Sequence, residues 1–199
     1  GTPEPVRSEV NLGVMKEDHV NLVVHGHEPT LSEAVVAASQ DPELLKLVEE
    51  KGAKGIVVGG ICCTANEMLM RQGSPVVGNF LHQELAIATG AVDLMLVDVQ
   101  CIMPAVVEHA SRFHTKVLTT SKKAMIPGAE HLQYHEEKAL SIAKEIVKRA
   151  IENFSNRRPG VNIPDIKSPL VAGFTVANTF THLGGKYRAS FRPLNDAII

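Results

Sequence analysis

No tryptophan occurs in the 199 residues, and phenylalanine and tyrosine bring the aromatic share to only 4%. A core without large rings must be filled by aliphatic side chains, and a hydrophobic content of 44% supplies them. Charge of one sign is lacking too: 20 Lys and Arg stand against 22 Asp and Glu, and the cations are scattered. That excludes the basic stripe by which nucleic acid is held. There is no apolar run of bilayer length and no basic start leading into an apolar signal core, so a soluble, cytoplasmic protein is expected. Cysteine is scarce, with three residues and no framework spacing, which argues against a secreted disulfide scaffold and fits a reducing compartment. Neither Cys-x-x-Cys nor Gly-x-Gly-x-x-Gly nor the phosphate-loop pattern occurs. A zinc ribbon, a locally ligated ferredoxin-type cluster and a nucleotide fingerprint are therefore not readable. The length suits one compact domain.

What is present is an alternation of short apolar runs and helical stripes. Val20 to Val24, Gly55 to Val58, Leu94 to Val99 and Lys116 to Thr120 read as buried strands, rich in β-branched and aliphatic residues. Between them, helices are expected over Leu31 to Ala38, after the Asp41-Pro42 start signal, behind Thr64 as a cap, over Phe80 to Thr89 and from Pro104 to about Arg112. The clearest helix runs from Glu136 to Phe154, with Ala139, Ile142, Ala143, Ile146, Ala150 and Phe154 on one side. Strand and helix in turn imply an α/β, Rossmann-like fold, a mainly parallel sheet with helices on both faces. Residues 1–16 read as a lead-in and 17–199 as one such domain. The segment from Leu170 to Phe180 resists assignment, Gly184-Gly185 breaks it, and the apolar ending Asp196 to Ile199 looks like a cut through a larger multidomain chain.

Each of three strands delivers unusual side chains at its carboxyl end: His25 and His27, then Cys62 and Cys63, then Cys101. In open α/β sheets that edge is where ligands gather. If these strands are neighbours, imidazole and thiolate meet there, a donor set that suits zinc, iron or nickel rather than magnesium or calcium. Cys62 and Cys63 are vicinal and point apart, so one belongs to a shared site and the other to the core. Cys63, nearer the helix start, is favoured as the ligand. Each histidine also has a structural reading as a hydrogen-bonded turn residue. His82, His109, His114, His131, His135 and His182 follow no ligand spacing. A cysteine nucleophile at a helix start, with Cys63 in that role, is a further reading of the same residues.

The motifs His25-Gly26-His27-Glu28-Pro29, Gly60-Ile61-Cys62-Cys63-Thr64-Ala65-Asn66-Glu67, Gly78-Asn79-Phe80-Leu81 and Asp98-Val99-Gln100-Cys101 carry a resemblance to the anaerobic nickel-dependent carbon monoxide dehydrogenases, relatives of the hybrid-cluster proteins. It continues through Phe113-His114-Thr115-Lys116, Pro127-Gly128-Ala129-Glu130-His131 and Phe191-Arg192-Pro193-Leu194-Asn195. The resemblance implies Rossmann-like domains, CO and CO2 interconversion, and a nickel-iron-sulfur cluster of the C-cluster type held by one histidine and five cysteines. It implies His27, Cys63 and Cys101 as cofactor-binding metal ligands, with His25 the alternative histidine and Cys62 behind the site. It further implies 4Fe-4S relay clusters in a missing N-terminal part, a homodimer, association with acetyl-CoA synthase or decarbonylase subunits, and electron carriers such as ferredoxin. With only three cysteines, the chain alone is expected to be inactive. The competing expectation is a non-catalytic metal-binding or sensor module using His27, Cys63 and Cys101.

Overall fold

The structure, a computed structural model, describes residues 5–99 and 101–173. Gln100, Gly184-Gly185, the Phe191 to Asn195 motif, the chain end and the distal part of the Leu170 to Phe180 segment lie outside the described residues. Among the described residues, eight strands form one sheet: β1 (Val6–Val10), β2 (Val20–His25), β3 (Ile56–Ile61), β4 (Val76–Gly78), β5 (Val92–Val97), β6 (Lys116–Thr119), β7 (Glu130–His131) and β8 (Ser168–Ala172), in the order β7-β6-β5-β2-β3-β4-β1-β8. All neighbours are parallel except β1 and β8, which run antiparallel. Two adjacent interior strands, β2 and β5, are buried along their whole length, as expected of parallel strands covered on both faces.

Six α-helices among the described residues cover the sheet: α1 (Pro29–Ala38), α2 (Pro42–Glu50), α3 (Cys62–Gln72), α4 (Gln83–Ala88), α5 (Ala105–Ala110) and α6 (Ala139–Phe154). Residues of α1, α2, α3 and α6 pack on Val20, Leu22, Val24, Leu94 and Leu96. On the other face α4 and α5 pack Ile87 and Val106 on Val23, Met95 and Val97. The alternation along β2 sorts these residues between the two layers. Among the described residues, no helix is long and apolar enough to cross a membrane.

Several expectations need correction. Val6–Val10, inside the segment read as a lead-in, is a strand paired with β4 and β8; its outward Arg7 and Glu9 hide its alternation from a search for apolar runs. Val76–Gly78, three residues too short to stand out as an apolar run, is a strand paired with β3 and β1. Phe80 to Thr89 is two pieces, a 3-10 turn over Phe80–His82 and then α4, and the predicted Glu136 to Phe154 helix likewise opens in a 3-10 turn before α6. Thr64 is not the cap of α3. The helix follows Ile61 directly, because Gly60 lets the two backbones close up: a Cβ there would lie 2.4 Å from the Ala65 Cα. Cys62 and Cys63 therefore stand on the first helical turn and not on a preceding loop.

Candidate metal centre

Chain order and sheet order together mark the site. From β2 the chain moves outward through β3 and β4, then returns to place β5 on the other side of β2 and continues to β6 and β7. The carboxyl ends of β2 and β5 thus flank the point where the winding reverses, the crevice in which open α/β sheets receive ligands. His27 follows β2, Cys101 follows β5, and Cys63 opens the helix behind β3, the other neighbour of β2. One sheet edge carries all three.

The local backbone is strained where the thiols sit. Among the described residues, the non-glycine positions with positive φ are Asn11 (97°), Cys62 (62°) and Cys101 (53°), each directly or soon after the carboxyl end of a strand. A left-handed residue bearing a Cβ costs about 1–2 kcal/mol, so the fold spends stability to turn the chain sharply at this edge. Asn11, Cys62, Cys63, Asn66, Asn79 and His82 line one cleft of about 360 Å³, while Cys101 lies on another of about 430 Å³ with Val99, Lys123 and Met125.

The imidazoles divide sharply. His25 ends β2, paired with Ile61 and Val97 in the ladder, and is completely buried. Neither of its ring nitrogens makes a hydrogen bond, although Gln83 and the Ile61 and Cys101 backbones are its polar neighbours. Burial lowers its pKa and keeps the ring neutral. His27 is exposed; its Nδ1 donates to the Val99 carbonyl at 3.1 Å, and its Nε2 lies 3.9 Å from Cys101 Sγ. A ring whose Nδ1–H is held by a carbonyl offers the Nε2 lone pair to a metal.

The vicinal cysteines divide as well. Cys62 is partly buried against the α4/α5 layer, and burial, with smaller contributions from Cys101 and Cys63, raises its pKa to about 11. It remains a protonated thiol at neutral pH. Cys63 is exposed on the cleft wall. Thus His27 and Cys101 are in contact, while Cys63 faces the neighbouring cleft. Among the described residues, no three His, Cys, Asp or Glu side chains converge as a single metal ion requires. The arrangement suits a polynuclear group, whose ligands bind different metal atoms and need not touch. Two soft thiols and an imidazole with its free nitrogen outward fit an iron-sulfur group that includes nickel.

Two supporting residues were given no role from the sequence. Asp98, buried behind β5, accepts the His27 amide at 2.5 Å and the Glu28 amide at 3.2 Å. Gln83, fully buried in α4, donates to the Cys101 and Phe80 carbonyls, both at 3.0 Å, and accepts the Met103 amide at 3.2 Å. Asp98 lies inside the Asp98-Val99-Gln100-Cys101 motif, so its proximity to a cysteine was a signal; Gln83 had none.

Comparison with known proteins shows the family of the chain. The chain matches the Prismane/CO dehydrogenase family over residues 1–181. It is 55% identical to carbon monoxide dehydrogenase 1 of Methanosarcina mazei over 199 residues, covering all of this chain and 31% of that protein. A nickel-free structure of the carbon monoxide dehydrogenase from Thermococcus sp. AM4 superimposes with a TM-score of 0.89 at 52% identity, covering 100% of this chain and 31% of the other. An acetyl-CoA synthase/carbon monoxide dehydrogenase whose α subunits hold NiZn[Fe4S4] and NiNi[Fe4S4] clusters gives a TM-score of 0.87 at 47% identity, over 100% of this chain and 30% of that one. The chain spans about a third of the length of these relatives, and by its match over most of its residues it belongs to the Prismane/CO dehydrogenase family.

Proposed function

We propose that this chain is the central cluster-ligand domain of an anaerobic carbon monoxide dehydrogenase, which interconverts CO and water with CO2, two protons and two electrons. His27, Cys63 and Cys101 hold part of its nickel-iron-sulfur cluster. The observation that carries the reading is the meeting of His27 Nε2 and Cys101 Sγ at 3.9 Å across the point where the sheet reverses its winding. When bound, such a cluster supplies two-electron redox chemistry at carbon; the protein supplies ligands, orientation and electrostatics. The Val99 carbonyl fixes the His27 tautomer, the strained turns present the two exposed thiols, and His25 and Cys62 stay uncharged behind them.

On this reading the chain is one Rossmann-like module of a larger cytoplasmic protein. The remaining cysteine ligands, the 4Fe-4S relay clusters, the homodimer contacts and any acetyl-CoA synthase, decarbonylase or ferredoxin partner are provided elsewhere. A sensor module holding one ion between His27, Cys63 and Cys101 is disfavoured, because these groups do not converge on one point. The test is CO-dependent dye reduction under anaerobic conditions. The isolated chain is expected to show none. In the full-length enzyme, His27→Ala, Cys63→Ser and Cys101→Ser should each lower the rate by about 10- to 100-fold or more. Sustained nickel-dependent turnover by the isolated chain would contradict the proposal.

A further inference from the structure

The crevice at the winding reversal is already filled by a carboxyl group, and it is the chain's own. Asp98 is 1% exposed, and its carboxylate is surrounded by donors. Oδ1 accepts the amides of His27, at 2.5 Å, and Val99; Oδ2 accepts the Glu28 amide at 3.2 Å and faces the Thr64 hydroxyl at 3.5 Å. Backbone amides converging in this way form an anion nest, which in other open α/β folds takes a phosphate of the ligand. Here the partners are three amides and a hydroxyl, and the acceptor comes from within.

These donors belong to three different turns. His27 and Glu28 lie behind β2, Val99 lies behind β5 on the way to Cys101, and Thr64 is in the first turn of α3 beside Cys63. A second bond reinforces the link, since the Thr64 amide donates to the Gly26 carbonyl at 3.0 Å. The space is made for this one carboxylate: a Cβ on Gly26 would fall 1.6 Å from Asp98 Oδ1. Separate strands bring His27, Cys63 and Cys101 to the sheet edge, but a single side chain joins the turns that present them.

Resting on the ligand assignment above, we propose that Asp98 is the positioning residue of the metal centre, setting the turns of His27, Cys63 and Cys101 in one mutual geometry. Asparagine has the same shape but a single acceptor oxygen, and its amide nitrogen would face backbone N–H groups. Asp98→Asn therefore keeps the packing and breaks the register of the ligand turns. Thr64→Val keeps the size of the side chain and removes only its hydroxyl.

The experiment uses the full-length enzyme containing this domain, with nickel and iron per chain, the paramagnetic resonance spectrum of the reduced centre and the thermal midpoint as readouts. His27→Ala serves as the ligand control. Asp98→Asn is expected to lower nickel content by about tenfold or more, with an altered spectrum of the residual centre, as loss of a partner behind metal ligands does elsewhere. Thr64→Val should alter the same spectrum with a smaller nickel loss and an unchanged thermal midpoint. Wild-type nickel and spectrum in Asp98→Asn overturn the proposal; if that variant does not fold, the same result in Thr64→Val overturns it. Loss of nickel in His27→Ala without any change in Asp98→Asn or Thr64→Val removes the positioning role and leaves the ligand reading standing. Full nickel in His27→Ala removes both.

Discussion

His25 and His27 are separated by one glycine and have opposite surroundings. One is buried with neither ring nitrogen bonded; the other is exposed, with one nitrogen fixed and the second beside a thiol. The difference is produced at Gly26, whose φ of 145° turns the chain out of β2 and whose missing Cβ admits Asp98. Gly26→Ala should therefore lower stability by about 2 kcal/mol or more, because side-chain clash and backbone strain act together. Chemical denaturation measures this, and a change within about 0.5 kcal/mol, the range of ordinary surface substitutions, would contradict it. At this scale the sequence is informative about residue type and little else. The paired imidazoles and vicinal thiols were legible as chemistry at strand ends. Which histidine faces outward was not, because it depends on a backbone angle and on the carboxylate of Asp98, remote from Gly26 in the chain.

At the scale of elements, the end of the sheet opposite the candidate metal centre is bolted by a buried ion pair. Arg157, just beyond α6, binds Asp93 at the start of β5 through Nε at 2.8 Å and Nη2 at 2.6 Å, and its guanidinium lies 4.4 Å over the Phe154 ring. Asp93 is fully buried and also takes His114 at 2.9 Å and the Asn21 amide at 2.7 Å. Arg157→Met strands that carboxylate, and a loss of about 3–5 kcal/mol in urea unfolding is expected. A loss below about 1 kcal/mol would show that the pair is replaceable.

A looser tie joins α2 to α6. The Lys144 ammonium, 2.5 Å from Asp41, holds the Asp41 carboxyl below its usual range, and the Lys144 pKa is raised by the same pair. The depressed carboxyl stabilises the fold above about pH 3.9 and loses that contribution as pH falls through its lowered folded value. The raised ammonium contributes below about pH 10.4 and loses its contribution as pH rises through its raised folded value. Lys144→Met should lower the thermal midpoint between those limits and leave it nearly unchanged in stronger acid; a shift that is the same at every pH would contradict this. Element legibility follows the same physics. β2, β3, β5 and β6 are buried runs that announce themselves, whereas β1 alternates with charge and β4 and β7 hold only three and two residues. Asp41-Pro42 marked its helix because cap and proline are local signals, whereas the start of α3 depended on a glycine contact with a residue of the following helix.

For the whole molecule, the two ends of the sheet divide the work. The amino end is closed by hydrogen bonds and the Asp93–Arg157 pair, and the carboxyl end carries strained turns, exposed thiols and the outward imidazole. Winding order explains the placement: the reversal beside β2 brings residues that are 74 apart in sequence, His27 and Cys101, into contact. The measurement that bears most directly on this account is anomalous diffraction at the iron and nickel edges from crystals of the full-length enzyme. Iron or nickel within bonding distance of His27 Nε2, Cys63 Sγ and Cys101 Sγ, about 2.0–2.3 Å if they follow usual metal-ligand lengths, is the predicted result. Metal bound instead through His25 or Cys62, or no metal at this sheet edge while it occupies other sites of the same crystal, would contradict it.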